Sequence, residues 1–211
     1  METDFWERCW QAEDRESLFQ YLAGYQGLRL PEFDLFRQYG VETVCDAACG
    51  FGAYSLALLS NGFAVRGFDC SETALEIAAE GLNAFGYAPE LKRADLLNTG
   101  YPDETFDGVL ACSVLDHLTF SDAQRALTEL CRITRQGGLL LLSFDAPETE
   151  DFSIPHEELA DGSMRYTDGQ RAGMIFLPYD EERIHRLSAG REILSTRTNR
   201  RGSRIVLLKK P

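Results

Sequence analysis

The chain has 211 residues, 44% of them hydrophobic, and a net charge of −13. That length suits one domain with an ordinary core, and the acidic balance argues against nucleic acid, whose phosphates favour basic surfaces. No apolar run approaches the ~20 residues of a membrane span, no basic-then-apolar leader opens the chain, and the six cysteines form no C-x-x-C pair, which argues against disulfides and zinc. A single domain in a reducing cytoplasm, with no membrane partner, is expected.

Residues 1–40 read as an N-terminal helical cap. One helix follows Asp14 with Leu18, Phe19, Tyr21 and Leu22; a second opens near Pro31 and ends at Gly40. Trp6, Trp10, Tyr21 and Tyr25 are either lid residues or core filling beneath these helices.

The segment from Val41 to Tyr54 joins a buried strand to a glycine turn and a helix. Asp46 sits at the carboxyl end of the strand. Gly50 and Gly52 let the backbone turn close to a ligand, and the helix from Ala53 to Ser60 directs its free N–H groups at the turn. In open α/β sheets ligands bind beyond the carboxyl ends of the strands, so a nucleotide-type cofactor is expected here. A dinucleotide fingerprint requires a third glycine. Ala53, Tyr54 and Ser55 follow Gly52 instead, which disfavours a nicotinamide-dependent oxidoreductase.

The run Asp46-Ala47-Ala48-Cys49-Gly50-Phe51-Gly52 resembles the D-x-G-x-G-x-G loop of class I S-adenosylmethionine-dependent methyltransferases. It departs from that pattern at Ala48, where the family has glycine. A methyl group adds little bulk, so a slight displacement is expected. Four further segments follow in the family's order. Gly62–Asp69 reads as a second strand ending in an acid able to accept both ribose hydroxyl hydrogens. Ser71 caps a helix through Ala84, with Ala74, Leu75, Ala78 and Leu82 as its apolar stripe. Leu91–Asp95 resembles the third strand, and the resemblance puts Asp95, beside Leu96, at the adenine amino group. Phe106–Leu118 resembles the fourth strand and the turn lining the methionine end, which includes Cys112. Gly137–Phe144 is an apolar run bounded by glycine, as a strand buried on both faces requires.

The resemblance implies an α/β fold, Rossmann-like and doubly wound: a mostly parallel seven-stranded sheet with a C-terminal antiparallel hairpin and helices on both faces. It implies S-adenosylmethionine as cofactor and S-adenosylhomocysteine as product. The expected cofactor contacts are Asp46, Ala48, Cys49, Gly50, Gly52, Asp69, Cys70, Asp95, Leu96 and Cys112. Cys49 and Cys70 are read as small polarizable packing groups rather than nucleophiles.

Ser121 and Gln124 read as a capping box opening a helix that Gly137-Gly138 would end. Residues 146–179 are the least family-like. There Asp168-Gly169 separates two strand-like runs and signals a hairpin, whose Tyr166, Met174 and Phe176 form either a substrate wall or a dimer contact. In residues 180–211, Asp180 caps a short helix ended by Gly190, and Glu192–Asn199 pairs with Ser203–Lys209. Residues 183–211 hold nine Lys or Arg against one acid, Glu192. Arg197, Arg200, Arg201 and Arg204 are expected on a solvated sheet edge, where charge discourages edge-to-edge pairing.

Four units are thus expected in one domain: a cap (1–40), a cofactor-binding core (41–145), an inserted hairpin (146–179) and the closing helix and hairpin (180–211). Methyl transfer from a sulfonium is an in-line displacement whose reactivity resides in the cofactor, so the protein need only align the acceptor. Asp116 and His117 are the best polar pair near that point, with His117 able to take an acceptor's proton, or else to pack beneath the following helix. Asp116 and Asp145 resemble the carboxylates of metal-dependent catechol-type enzymes, but Ala146 stands where an amide ligand would be, so no metal is expected. His156 and His185 read as surface residues. The acceptor is expected to be a small molecule, methylated at O, N or C, and the protein a monomer or homodimer. The alternative is a non-catalytic domain that binds the cofactor as a sensor or partner subunit.

Overall fold

The computed structural model describes residues 3–211; residues 1 and 2 of the expected cap lie outside the described residues. Three helices come first: α1 (Thr3–Ala12), α2 (Arg15–Ala23) and α3 (Glu32–Gln38). Asp14 caps α2 by accepting the Ser17 N–H at 3.1 Å, and Pro31 opens α3. The sheet then begins with β1 (Thr43–Ala47), α4 (Ala53–Ser60), β2 (Ala64–Asp69), α5 (Glu72–Ala84) and β3 (Glu90–Arg93). Ser71 caps α5 by accepting the Ala74 N–H at 3.0 Å, as its position before the apolar stripe requires.

Next come β4 (Phe106–Cys112), α6 (Phe120–Ile133) and β5 (Thr134–Phe144). A small antiparallel sheet follows, β6 (His156–Glu158), β7 (Met164–Tyr166) and β8 (Ile175–Phe176), then α7 (Glu181–Leu187), β9 (Glu192–Thr198) and β10 (Arg204–Lys209). The main sheet has the order β3-β2-β1-β4-β5-β10-β9. Its first five strands run parallel, and β10 and β9 are antiparallel. Seven strands in this order are the expected doubly wound fold. Chain order reverses between β1 and β4, so a crevice opens at their carboxyl ends.

Alternation along β5 builds both layers. Leu139 and Leu141 join α3 and α4 through Phe33, Phe36, Ala57 and Leu58, while Leu140, Leu142 and Phe144 join α6 and α7 through Leu127, Leu130 and Ile184. Leu139, Leu140, Leu141 and Leu142 are all buried, as a central parallel strand covered on both faces must be.

Three boundaries differ from the sequence expectations. The cap of α6 is Thr119, whose Oγ1 accepts the Asp122 N–H at 3.3 Å. Ser121 already lies inside the helix, its hydroxyl 3.2 Å from that of Thr119. The helix stops at Ile133, not at the glycine pair: Thr134 turns extended and β5 begins there. Gly137 instead serves a bulge, with φ of 69°, where β5 advances from Thr134 to Leu139 while β4 advances only from Phe106 to Gly108. Gly138 passes so close to β4 that a Cβ there would stand 2.6 Å from the Asp107 carbonyl.

The inserted hairpin exists, with β7 and β8 paired Met164 to Phe176, but its turn is wider than two residues. Asp168 accepts the Gly169 N–H and starts a short 3₁₀ turn over Gly169–Arg171. β6 adds an unanticipated third strand. Tyr166 and Phe176 are buried with Met164 in this unit's own core. His156 is half-buried, its ring edge-on to Tyr166 at 6.0 Å, so it is not the surface residue expected; His185 is exposed. Arg197 also departs from the expected solvated edge. It turns inward and donates twice to the buried Glu32 of α3, at 2.6 and 2.9 Å. Arg200, Arg201 and Arg204 are exposed. Among the described residues, no helix is long and apolar enough to cross a membrane.

Candidate functional site

Three cavities meet over the carboxyl ends of β1, β2, β4 and β5. The first, a cavity of about 100 Å³, is bounded by Ala48, Gly50, Asp69, Cys70, Leu96 and His117 among others. The second is lined by His117, Asp145, Arg171, Met174 and Phe176. The third takes in Asp46, Cys49, Tyr54 and Cys112. Ala48, Gly50, Trp10 and Ser113 border both the first and the third, making one cleft astride the glycine turn.

Backbone conformation explains why the turn is shaped as it is. Gly50 and Gly52 have φ of 52° and 86°, the left-handed region open to glycine at no steric cost. Their roles differ. Gly50 faces the cleft, and a Cβ on it would meet the Trp10 ring at 2.9 Å. Gly52 caps α4 and faces α5, where a Cβ would meet Ala78 and Leu82 at 3.2 Å; it borders none of the three cavities. Ala48 has φ of 54°, so bulk is not what glycine would relieve there: the cost is a left-handed backbone at a residue with a Cβ. Replacing Ala48 with Gly is expected to stabilise the protein by roughly 0.5–1 kcal/mol, the strain relieved less the entropy a glycine adds to the unfolded chain. The denaturation midpoint measures it, and a destabilised variant refutes the strain.

Two acids flank the turn. Asp46, 2% exposed, has its carboxylate held by the Ser55 hydroxyl at 2.6 Å, and burial pushes its pKa up to about 7. Asp69 accepts the N–H groups of Gly50 and Ser71, each at 2.9 Å. Burial also raises its pKa, against the pull of those donors. Two buried acids that ionise with difficulty suit a cationic ligand. Each Asp69 oxygen keeps a lone pair for a further donor. Burial likewise raises Cys49, and lifts Cys70 and Cys112 to about 12, so these thiols pack against the cleft as neutral groups.

Asp95 is not brought to the wall. Its carboxylate turns to its own backbone and accepts the Leu97 N–H at 2.7 Å, while Ala94 and Leu96 line the first cavity. The pair Asp116 and His117 is divided as well. Asp116 is fully buried, borders none of the three cavities, and accepts the Asp145 N–H at 2.7 Å. It therefore ties the 3₁₀ turn Leu115–His117 to the end of β5. His117 faces the first two cavities. Its ring meets Trp6 edge-on at 5.0 Å and Phe176 at 6.0 Å, and its Nδ1 lies 3.2 Å from the Ile175 carbonyl oxygen, leaving Nε2 to the cleft. Donor atoms of Asp116, His117 and Asp145 lie within 4.8 Å of one another; Asp116 Oδ2 accepts the Asp145 N–H and Asp145 Oδ1 accepts the Ser113 hydroxyl at 2.8 Å, while Asp116 Oδ1 is buried with no hydrogen-bond partner among the described residues.

Helix α1 closes the cleft from above. Glu7 accepts the hydroxyls of Ser71 and Thr73 at 2.7 and 2.6 Å, bonds that hold its pKa down at about 2. An acid at the N-terminus of α5 also meets the positive end of that helix. This latch places Trp6 and Trp10 over the first cavity; Tyr21 and Tyr25 line the third.

Sequence reasoning missed Ser113, Phe51, Tyr54 and the side of Arg201 that faces the cleft. Ser113, just past β4, has φ of 53°. Strain of this kind collects at functional sites, but no residue type announces it. Arg201 stood in a turn that the strand order brings to the cofactor end of the sheet, a clue available once β10 is placed beside β5.

Residues 45–142 match a family described as "Methyltransferase domain". Over 114 residues the chain is 33% identical to a tRNA (carboxymethyluridine(34)-5-O)-methyltransferase of Arabidopsis thaliana, covering 54% of this chain and 26% of that protein. It is 34% identical over 114 residues to the magnesium-protoporphyrin O-methyltransferase of a Synechocystis strain, covering 53% and 47%. The chain thus spans about a quarter to a half of the length of these curated relatives. A solved structure of an S-adenosylmethionine-dependent methyltransferase from Methanosarcina mazei aligns over 86% of this chain and 98% of its own, with a TM-score of 0.68 and 22% identity, which supports the fold. With the glycine turn, the two strand-end acids and the sheet order, these matches make the chain similar to the class I methyltransferases, the family whose cofactor is S-adenosylmethionine.

Proposed function

We propose that the chain transfers a methyl group from S-adenosylmethionine to a small-molecule acceptor. The observation that carries this reading is the cleft astride the glycine turn, with Asp46 and Asp69 on one side and the second cavity opening past His117. The residues present fit the cofactor. Asp69 would hold the ribose hydroxyls and Asp46 the ammonium group, with Leu96, Val114 and Cys70 around the adenine and the backbone of Ala48 and Gly50 beneath. When bound, the cofactor supplies an electrophilic methyl on sulfur, which leaves by in-line displacement.

The protein's share is alignment and exclusion of water. Trp6 and Trp10 cover the cleft, and Ser113, Asp145 and His117 surround the junction of the cavities. His117 would accept the proton of a hydroxyl or amine acceptor at Nε2, its ring oriented by Trp6, Phe176 and the Ile175 carbonyl. Asp116 acts one step removed, by fixing the turn that carries His117. No metal is needed by this reading. The net charge of −13 supports a small acceptor over a polyanionic one, and six free cysteines support a reducing, cytoplasmic setting.

Isothermal titration with S-adenosylhomocysteine, with NAD as control, tests the cofactor. Micromolar affinity for the first alone is expected, and no binding removes the enzyme reading. Methyl transfer to any acceptor then separates an enzyme from a sensor. Replacing His117 with Ala is expected to lower turnover about 100-fold, the scale of general-base catalysis, with S-adenosylhomocysteine affinity kept; unchanged turnover removes the base.

A further inference from the structure

The second cavity, of about 470 Å³, has room for a small molecule and meets the first at Trp6 and His117. Its charges do not balance. Asp145, Glu148 and Asp151 line it together with Arg171 and Arg201. Arg171 is bonded to Asp151, which leaves two carboxylates against one guanidinium. That guanidinium, on an exposed side chain, donates to the Tyr21 hydroxyl at 3.3 Å.

A third acid stands behind this wall. Asp116 is fully buried; its Oδ2 accepts the Asp145 N–H, and its Oδ1 has no partner among the described residues. A buried carboxylate oxygen without a donor is unfavourable. Burial raises the Asp116 pKa, positive charge on His117 opposes the rise, and the neighbouring Asp145 adds to it. Asp145 in turn gives Oδ1 to the Ser113 hydroxyl and keeps Oδ2 for another donor. What the pair of acids lacks is a cation.

Spacing selects the kind of cation. Donor atoms of Asp116, Asp145 and His117 lie within 4.8 Å of one another, yet His117 forms no ion pair with either carboxylate at 4.0 Å or less. A divalent metal draws its ligands to about 2.1 Å, which sets neighbouring ligand atoms about 3 Å apart. An ammonium nitrogen donating in two tetrahedral directions at about 2.8 Å holds its acceptors about 4.6 Å apart. The gap fits the ammonium. Trp6, Met174 and Phe176 line the same cavity, and such surface takes a hydrocarbon body and attracts a cation through its ring faces.

From this juxtaposition we propose that the methyl acceptor is a primary or secondary amine, cationic in water, with an apolar body. Its ammonium group lies between Asp145 and His117 with Asp116 behind, and its body lies along Trp6, Met174 and Phe176. In the reaction one ammonium proton passes to His117 Nε2. The freed lone pair forms the new N–C bond, and the S–C bond breaks with its electrons left on sulfur. The products are an N-methylated ammonium ion and S-adenosylhomocysteine, with the proton on His117. The acids stabilise the positive charge whether the amine or the imidazole carries it. This assignment rests on the methyltransferase reading for the cavity's role and concerns only what the cavity selects.

The test uses the full chain saturated with S-adenosylhomocysteine. Binding is measured for propylamine, phenethylamine and tryptamine, each beside the alcohol of the same skeleton. The amines are expected to bind about tenfold or more tightly than the alcohols, the scale of a charge-assisted hydrogen bond. In D145N that preference disappears and in E148Q it shrinks, while S-adenosylhomocysteine still saturates both variants. Manganese ion, titrated alone into the parent, is expected neither to bind with micromolar affinity nor to displace the amines. Alcohols that bind as tightly as amines, no binding of either, a preference that survives intact in both variants, or displacement of the amines by manganese overturns the proposal. Should D145N fail to fold, E148Q on the exposed rim carries the comparison. A parent protein that fails to bind S-adenosylhomocysteine fails at the first titration, which marks the underlying reading as wrong rather than the acceptor class.

Discussion

Replacing Asp46 with Asn is expected to stabilise the cofactor-free protein at neutral and alkaline pH while removing most of its cofactor affinity. Asp46 is 2% exposed and its side-chain partner is the Ser55 hydroxyl, which an Asn oxygen accepts equally well. Burial is the main cause that lifts its pKa to about 7, the nearby Asp69 adding to it and the Ser55 bond opposing it. An unfolded Asp titrates near 3.9. Between roughly 4 and 7 the folded state therefore holds the proton that the unfolded state releases, so stability falls as pH climbs through that window. The cost of ionising the buried group is absent below about 4 and complete above about 7. Three units of pKa correspond to about 4 kcal/mol. Allowing for relaxation around the site, the variant is expected to gain about 2–4 kcal/mol over the parent at pH 8 and almost nothing at pH 4. Urea unfolding of both proteins at the two pH values measures this. A gain equal at both, or none at pH 8, refutes the buried charge.

Cofactor binding should show the opposite dependence. An ammonium group held by Asp46 requires the ionised form, so the parent's affinity for S-adenosylhomocysteine is expected to fall about tenfold per unit below pH 7. In the Asn variant that slope flattens and the affinity at pH 8 drops by roughly 10–100-fold, the scale of a lost charge-assisted hydrogen bond. A buried acid costs stability in the empty protein and is kept for what it binds, a conflict expected at functional sites. Equal slopes in parent and variant place the ammonium elsewhere.

How far the chain could be read in advance follows from which forces are local. The strand–turn–helix from β1 into α4 is written in nearest-neighbour terms: β-forming Val44 and Cys45, then glycines, then an apolar helix. The cap at Ser71 and the closing antiparallel hairpin were likewise legible, since the first rests on a single cap and the second on two short strands around a glycine turn. The start of α6 was not, because Thr119 and Ser121 are both competent caps and only the approach of Asp122 selects the first. The bulge at Gly137 depends on pairing with β4, which sequence spacing does not encode.

The site was legible in its acids and less so in its directions. Asp46 and Asp69 stand at strand ends, where orientation follows from the strand itself. Asp95 and Asp116 sit in turns, and a turn can aim a carboxylate at its own backbone, as happens at Leu97 N–H and Asp145 N–H. Gly52 was assigned to the ligand and serves helix packing instead. Arg197 was expected in water because arginine usually is, yet Glu32, 165 residues away in the chain, meets it across the fold. Contacts at such separation leave no trace in local pattern.

The second large effect is expected at Asp69. Its two oxygens hold the Gly50 and Ser71 N–H groups, so the side chain links the glycine turn to the start of α5 and offers its remaining lone pairs to the first cavity. Asp69→Ala removes both functions. S-adenosylhomocysteine affinity is expected to drop by roughly 1–3 kcal/mol, the scale of lost charge-assisted hydrogen bonds. Two buried donors are also left without partners, which costs stability of similar size. The two losses separate in Asp69→Glu, which keeps the charge but lengthens the arm: it is expected to recover part of the affinity if charge matters most, and little if the turn's geometry does. Loss of adenosine itself as a ligand, measured by direct titration, ties the effect to the ribose. If adenosine binds Asp69→Ala as well as it binds the parent, the ribose site lies elsewhere, and Asp69 is a brace for the turn.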